Sequence, residues 1–301
     1  MQVAPRQRAG LVGDRSSLIS DLVALTKPRI MALLLFTGFS AMIVALGHVP
    51  SWRLTVLTMV GLGCSTGGAA ALNMWYDRDI DRVMGRTLDR PIPAGRIAPE
   101  TALGFGLLLE AVAIVILGLG VNWLTAVLAF GGFVYYVGIY TMWLKRVTPQ
   151  NIVIGGGAGA FPPLVGWAAS TGHVAWAAVW MFLIIFLWTP PHFWSLALYK
   201  NEDYVKANIP MMPVVRGERA TKVQSLAYAV LLSVSSLLLY STHVVGRVYL
   251  GASLGLGVGF VVVLIRLLQE KAPEVEWAKR TFRYSLLYLL GIFGFMLANV
   301  R

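Results

Sequence analysis

Long apolar runs separated by polar connections make up most of the 301-residue chain. Nine runs reach the length of about 20 residues that a helix needs to cross a bilayer. Backbone polar groups must be satisfied inside lipid, and these runs are too long for barrel strands, so we predict an all-α polytopic membrane protein with nine transmembrane helices. The predicted spans are 29–47, 53–76, 100–119, 122–142, 151–170, 174–195, 224–242, 248–267 and 283–300.

Two connections are longer than the rest and resemble each other in composition. Residues 77–99 follow the second span and residues 200–223 follow the sixth, and each stretch mixes acids, bases and prolines. This similarity predicts two weakly repeated halves with a site where they meet. The third and fourth spans are separated by little more than Gly120, which predicts a tight helical hairpin. Residues 1–20 are expected to form a polar cytoplasmic tail, and residues 21–301 a single transmembrane domain.

The charged residues are few and are distributed unevenly between the two sides of the predicted bundle. Charged residues make up 13% of the chain and hydrophobic residues 57%, which excludes an ordinary soluble domain. Assigning alternate connections to opposite sides places 22 of the 25 lysines and arginines on one side, the basic face, and leaves Arg53, Arg247 and Arg301 on the other. Cytoplasmic loops carry such an excess, so we expect a cytoplasmic N-terminus and an external C-terminus. Topology and membrane lipid thus explain the net charge of +11, and we expect no nucleic-acid partner.

Three polar residues spaced four apart mark the end of the second span on the basic face. Each step from Asn73 to Asp77 to Asp81 advances about 40° around a helix, so the side chains form one stripe. Two carboxylates one turn apart repel each other unless a cation lies between them. Mg²⁺ takes one or two carboxylates and keeps positions for water and substrate phosphate, so we predict that this stripe holds Mg²⁺. An ordinary charged helix end is the alternative; it explains Arg78 and Arg82 better than it explains the stripe.

Basic residues near the stripe are candidates for phosphate binding. Arg86 and Arg90 lie in the connection after the second span, and Lys145 and Arg146 end the fourth span on the same face. A diphosphate bound to magnesium needs cationic partners, and arginine offers a fork of donors that matches phosphate oxygens. Solvated loop charge is the alternative for each of the four.

The sixth span ends in a second polar group on the basic face. Pro190 and Pro191 precede His192, and prolines kink a membrane helix and free carbonyl groups. His192 is the one histidine of the four that approaches the basic face. We expect it to act as a base or an iron ligand, with a hydrogen-bonded histidine in the kink as the alternative. Glu110, in the middle of the third span, is expected to be a structural, hydrogen-bonded carboxyl group.

As a set, these motifs resemble those of the UbiA-type intramembrane prenyltransferases. The Asn-x₃-Asp-x₃-Asp stripe at the end of the second of nine helices is similar to their first aspartate motif. From Leu25 to the last helix, further stretches resemble the branch of that family that farnesylates protohaem, namely 26–30, 86–91, 140–146, 191–193 and 203–214. Most of the family has a second aspartate-rich motif after the sixth helix, whereas this chain has His192, Lys200, Glu202 and Asp203 there. This difference favours the haem branch and leaves the ligands of any second metal open.

The resemblance implies transfer of a farnesyl group from farnesyl diphosphate to a vinyl group of haem B, giving haem O and diphosphate. It implies a UbiA-like bundle in a bacterial inner membrane, with contact with a haem A synthase as a further expectation. It implies that Asp77 and Asp81, with Asn73 supporting, hold Mg²⁺ on the diphosphate, and that His192 contacts the haem. The residues it implies for substrate binding are Asn73, Arg86, Arg90, Lys145, Arg146, Lys200, Asp203, Tyr204, Lys27 and Arg29.

Two other functions compete with this interpretation. A prenyltransferase that acts on a quinone precursor or another aromatic acceptor would use the same diphosphate chemistry, although it would be expected to carry more acids after the sixth span. A transporter that uses intramembrane carboxylates would place paired half-helix breaks near the midplane. The acids of this chain instead cluster at the basic face.

Overall fold

The computed structural model describes residues 17–271 and 273–301. Apart from an isolated bridge between Val245 and Val300, the regular structure in these residues is helical. The α-helices are α1 (Leu18–Leu25), α2 (Pro28–Leu46), α3 (Trp52–Tyr76), α4 (Arg78–Asp81), α5 (Pro99–Gly120), α6 (Trp123–Val134), α7 (Asn151–Gly155), α8 (Gly157–Thr171), α9 (Trp176–Tyr199), α10 (Asn201–Lys206), α11 (Met212–Leu238), α12 (Arg247–Gln269) and α13 (Glu276–Ala298).

Nine helical segments in the described part of the chain are long and apolar enough to cross a membrane. They match the nine predicted spans in order, which confirms the all-α polytopic fold. The largest differences lie on the basic face. α11 begins at Met212 instead of residue 224, with a kink at Gly217 (φ 78°), and α13 begins at Glu276 instead of residue 283. The apolar pattern marks only the part of a helix that lies in lipid, whereas the helix can continue into water with polar residues around it. The connection predicted at 200–223 is therefore largely helical.

The fourth span changes its helical form as it approaches the basic face. α6 continues into a π-helical segment, Tyr135–Trp143, and then into a 3₁₀ turn, Leu144–Arg146. π-helical segments within α-helices often occur at functional sites. At its other end, α6 is joined to α5 by Val121 and Asn122, and the Asn122 side chain accepts a hydrogen bond from Thr125 N at 2.9 Å. The tight hairpin predicted near Gly120 is confirmed.

Close packing of α3 against α5 positions the polar end of α3. A Cβ atom added at Gly68 would lie 2.6 Å from the carbonyl oxygen of Gly106, so the two backbones approach as closely as glycine permits. On the basic face, α1 is tied to the connection after α4 by an ion pair between Arg96 Nε and Asp21 Oδ1 at 2.9 Å. α1 begins within the tail predicted at 1–20, of which residues 1–16 lie outside the described residues.

Candidate active site

The predicted polar stripe lies at the junction of α3 and α4. α3 ends at Tyr76, and Asp77 follows it with φ −83° and ψ 6°. Asp77 N donates to Asn73 O at 2.9 Å and Asp81 N donates to Asp77 O at 2.9 Å, so the four-residue spacing continues through the junction. All three side chains are buried. Buried carboxylates require charge partners or hydrogen-bond donors, and the surrounding helices supply both.

Asn73 connects the stripe to two other parts of the fold. Its Nδ2 atom donates to Asp77 Oδ2 at 2.7 Å and to Thr141 Oγ1, in the π-helical segment, at 3.1 Å. Its Oδ1 atom accepts a hydrogen bond from Lys27 Nζ at 2.7 Å. Lys27 has a positive φ of 53°, and such strain in a non-glycine residue is concentrated at functional sites. Lys27 directly precedes Pro28, the first residue of α2, and its ammonium group reaches the stripe.

The two carboxylates of the stripe are each paired with a base from another part of the chain. Lys145 Nζ donates to Asp77 Oδ2, and Arg90 Nη1 lies 2.6 Å from Asp81 Oδ2. These cations also affect the third base of the site. Burial first, and then the charges of Arg90 and Lys145, lower the pKa of Lys27 to about 7. Three bases therefore converge on two carboxylates and an amide.

Arg146 lies at the edge of this cluster. Its Nη1 and Nη2 atoms each lie 2.7 Å from an oxygen of Asp79, and its guanidinium group lies 4.9 Å from the ring centre of Tyr76. These hydrogen bonds lower the pKa of Asp79, which is more than half exposed. Arg146 is thus close to the stripe, although its strong partner is an acid that the sequence analysis did not select.

The oxygen donors fit a magnesium ion that is shared with a phosphate. In the described part of the chain, no three His, Cys, Asp or Glu side chains converge on a metal position, so the protein offers an open set of two carboxylates and an amide. Mg²⁺ uses such a set together with water and substrate phosphate. Asp77 Oδ1 is buried and accepts no hydrogen bond from any described residue; Arg146 Nη2 lies 3.7 Å away. A cation ligated by this oxygen would satisfy it.

The two long connections meet at Arg86 and Tyr204. Arg86 Nη2 donates to the Tyr204 hydroxyl oxygen at 3.0 Å, and the guanidinium group lies 5.1 Å from the centre of the ring. Burial raises the pKa of Tyr204, so its hydroxyl group stays neutral. Asp203 is half-buried beside Gly85 in the other connection. The segments after the second and sixth spans, which resemble each other in composition, are therefore in contact.

Lys200 and Arg29 are exposed on the basic face. Their assignment to substrate binding stays a prediction.

Tyr136 belongs to the site although the sequence analysis did not select it. Its hydroxyl oxygen lies 3.4 Å from Lys27 Nζ, and its ring stacks on that of Tyr140 with centres 5.5 Å apart. Two aromatic residues four positions apart, just before Lys145 in one span, are a signal that could have identified this pair.

His192 lies between aromatic rings near the end of α9. Its imidazole ring stacks on Trp188 with ring centres 4.2 Å apart and on Phe282 with centres 4.6 Å apart. Its Nδ1 atom lies 2.7 Å from Ser285 Oγ, and that hydroxyl group donates to Phe282 O at 2.6 Å. Because the single hydroxyl proton is already used, Nδ1 must be the donor and Nε2 keeps its lone pair. The hydrogen bond joins α9 to α13 instead of closing within α9.

Glu110 is buried in α5 beside Ser65 of α3. The Ser65 hydroxyl group, which donates to Ala129 O at 3.3 Å, is the hydrogen-bonding side chain next to the carboxyl group. The expectation of a structural, hydrogen-bonded carboxyl group stays a prediction.

Comparisons with known proteins identify a matching family and close relatives of this chain. The UbiA prenyltransferase family matches residues 34–287. The chain is 60% identical over 283 residues to a protein named protoheme IX farnesyltransferase from Symbiobacterium thermophilum, covering 94% of this chain and 95% of that protein. A protein of the same name from Brucella anthropi is 50% identical over 281 residues, which cover 93% of this chain and 90% of that protein.

Solved structures of the same fold share much less sequence. A structure concerned with digeranylgeranylglyceryl phosphate synthase has a TM-score of 0.77 at 18% identity and covers 93% of this chain and 99% of its own. A UbiA homologue from Archaeoglobus fulgidus bound to DMAPP and Mg²⁺ has a TM-score of 0.66 at 16% identity, with coverage of 93% and 99%. At these identities the likeness establishes the fold alone. The family match and the two close relatives together show that the chain belongs to the UbiA prenyltransferase family.

Proposed function

We propose that this protein transfers a farnesyl group from farnesyl diphosphate to a vinyl group of haem B, giving haem O and diphosphate. The observation that carries the proposal is the buried stripe of Asn73, Asp77 and Asp81 beneath converging bases. This arrangement suits a diphosphate held by a metal. The choice of haem as acceptor is supported by 60% identity to a relative named protoheme IX farnesyltransferase.

In this proposal the stripe binds the diphosphate through a metal ion, and the bases bind its oxygens directly. Asn73, Asp77 and Asp81 would hold Mg²⁺, which would supply neutralising positive charge at the leaving diphosphate. Lys145 and Arg90 donate to diphosphate oxygens, which stabilises the developing charge from fixed positions. The other proposed substrate contacts are Lys27, Arg29, Arg86, Arg146, Lys200, Asp203 and Tyr204.

The transfer begins when the bond between farnesyl C1 and the diphosphate oxygen breaks and its electron pair leaves with the diphosphate. The stacked rings of Tyr136 and Tyr140 offer an aromatic surface for the allylic cation. The vinyl π electrons of the haem then form the bond to C1. Water adds to the cation left on the haem side and loses a proton, so a farnesyl group and a hydroxyl group end on the two vinyl carbons.

We assign contact with the haem to His192. Its Nδ1–H group is held by Ser285, so Nε2 keeps a lone pair that can bind iron or accept a proton. Trp188 and Phe282 flank the imidazole ring and would pack against a flat, apolar macrocycle. These contacts support an acceptor site beside α9 and α13.

We further propose that the N-terminus lies in the cytoplasm and the C-terminus outside, in a bacterial inner membrane. The 22 to 3 distribution of basic residues supports this orientation. Haem O is then released within the membrane, where an enzyme that oxidises it must receive it. Contact with a haem A synthase is the corresponding proposal for a partner.

The test uses the purified protein with farnesyl diphosphate, Mg²⁺ and either haem B or 4-hydroxybenzoate, followed by mass spectrometry. We expect haem B to gain one farnesyl group and one hydroxyl group only when Mg²⁺ is present. Farnesylated hydroxybenzoate without farnesylated haem would overturn the proposal in favour of a quinone-type prenyltransferase. Absence of any farnesylated product from protein that binds both substrates would also overturn it.

A further inference from the structure

The acids of the active site are held by bases of the same chain. Asp77 is paired with Lys145, Asp81 with Arg90, and the Asn73 carbonyl oxygen with Lys27. These are the oxygens assigned to Mg²⁺, and the bases are those assigned to the diphosphate. Asp77 Oδ1 is buried and accepts no hydrogen bond from the described residues. The proposed metal ligands and the proposed diphosphate-binding bases are thus paired with each other.

Binding of Mg²⁺ alone or of a diphosphate alone is electrostatically unfavourable. Mg²⁺ on its own would enter beside Lys145 and Arg90, and repulsion between cations opposes its binding. A diphosphate on its own would draw these bases away from Asp77 and Asp81, leaving two buried carboxylates without partners. When both arrive, the metal takes the carboxylates and the phosphate takes the bases, so every charge keeps a partner.

The bases can move more easily than the acids. Asp77 and Asp81 lie in consecutive helical turns, and their side chains are 0% and 2% exposed. Lys145 lies in the 3₁₀ turn that ends its span, Arg90 lies in the connection after α4, and their side chains are 17% and 27% exposed. Long side chains that are open to water at segment ends can swing while buried carboxylates stay in place.

We propose that Lys145 and Arg90 are exchangeable counterions, which hold Asp77 and Asp81 in the free enzyme and pass to the diphosphate oxygens when a metal takes the carboxylates. Metal and diphosphate therefore bind with positive coupling, which is the same in both directions. After the transfer, re-formation of the two ion pairs favours release of the metal and the diphosphate. This inference rests on the proposed function of the site and adds the order of events within it.

The first test measures binding of MgCl₂ alone, inorganic diphosphate with EDTA, and the magnesium–diphosphate complex to the full chain in lipid nanodiscs. The readouts are the midpoint of thermal unfolding and a calorimetric titration. We expect the complex to raise the midpoint by more than the sum of the two separate shifts, with affinity about 10-fold or more above that for either component. Additive shifts in the unmodified chain would overturn the proposal.

The second test uses Lys145→Gln, which frees Asp77 from its counterion. We expect this variant to bind MgCl₂ alone about 5-fold more tightly than the unmodified chain, with diphosphate binding weakened and the coupling reduced. A residue that only binds phosphate would leave the affinity for MgCl₂ alone unchanged, and that result would overturn the exchange. Arg90→Gln frees Asp81 in the same way, and we expect the same changes in binding. If Lys145→Gln does not fold, Arg90→Gln alone tests the counterion exchange.

Lys206→Gln is the matched control, because Lys206 is an exposed lysine at the end of α10 and the charge change is identical. We expect its affinity for MgCl₂ to equal that of the unmodified chain; a rise as large as in Lys145→Gln would show that net charge alone explains the effect.

The farnesyl transfer assay separates the two proposals. Transfer to haem without coupled binding would refute only the exchange, and coupled binding without transfer to haem would refute only the choice of acceptor.

Discussion

Asp77 is the most enclosed acid of the stripe. Its side chain is fully buried and contacts Asn73, Lys145 and Arg146, although one of its oxygens accepts no hydrogen bond in the described chain. A buried carboxylate with an unused oxygen between cations is a poor stabilising element. Its arrangement is better explained by a ligand that is bound during the reaction, so the role of this residue can be tested separately from folding.

Asp77→Asn should keep the size of the side chain and remove the charge that would hold Mg²⁺. We expect farnesyl transfer to fall about 100-fold or more, since one preorganised electrostatic contact at a reacting group has that value. The measurement is product formation across a Mg²⁺ titration. Asp79→Asn is the control; Asp79 is 58% exposed, and we expect its rate to stay within about 3-fold because exposed ion pairs contribute little. Full activity of Asp77→Asn would exclude the metal role.

Ser285 is the residue that orients His192. Ser285→Ala should remove the acceptor for Nδ1–H while the bond from Trp188 Nε1 to the backbone oxygen of residue 285, at 2.7 Å, can persist. We expect haem affinity to fall about 10-fold, as is typical when an outer partner of a ligating histidine is lost. Absorption titration with haem B measures the affinity and the Soret band. Ser285→Thr keeps a hydroxyl group and should restore both. Unchanged titrations of Ser285→Ala and His192→Ala would remove the haem role.

The sequence predicts the stripe but not the partners of each side chain. A repeat of four residues determines that Asn73, Asp77 and Asp81 share a helical face, and the structure confirms this. Ser285 has no comparable signal because a single serine in an apolar helix is common and its partner is 93 positions away. Pairing of particular bases with particular acids depends on where long side chains from separate spans reach, and no periodicity encodes that.

At the scale of helices, close contact between α3 and α5 determines where the stripe lies. The apolar pattern predicts both helices, whereas the contact depends on which glycines face each other. Gly68 faces the backbone of α5, as a Cβ there would lie 2.6 Å from Gly106 O. Gly63, on the same helix, faces Leu35 at 3.8 Å, which is an ordinary contact distance for an added Cβ. One glycine is needed for packing and the other is not.

Gly68→Ala should therefore destabilise the fold and displace the end of α3. We expect a loss of about 1–3 kcal/mol of unfolding free energy, as for other overpacked sites, together with weaker binding of the magnesium–diphosphate complex. Thermal unfolding in nanodiscs and the calorimetric titration measure the two effects. Gly63→Ala should match or exceed the unmodified chain because alanine favours a helix more than glycine does. Equal unfolding midpoints for the two variants would contradict the close approach of α3 and α5.

At the scale of the whole molecule, the candidate active site lies on the face that carries most of the basic residues. The nine spans among the described residues place the two ends of the helical bundle on opposite sides. The stripe, its bases and the contact between Arg86 and Tyr204 all lie at the ends of spans on the face that carries most of the basic residues. The distribution of lysines and arginines over alternate connections predicts the basic face from the sequence alone. A miscounted span would have distributed the bases over both faces. Charge sorting does not reveal that the two long connections meet, since that contact depends on how the helices pack.

The orientation can be measured with single cysteines, because Cys64 is the one cysteine of the chain and lies half-buried in α3. In a Cys64→Ala background, His48→Cys places a thiol in the exposed connection between α2 and α3, and Asp89→Cys places one in the exposed connection after α4. We expect a membrane-impermeant maleimide to label position 48 in intact spheroplasts, and position 89 only after the membrane is opened. The Cys64→Ala chain without a new cysteine should stay unlabelled in both conditions. Labelling of position 89 in intact spheroplasts would reverse the orientation and place diphosphate binding on the outer side, away from the cytoplasmic supply of prenyl diphosphate that the proposed reaction needs.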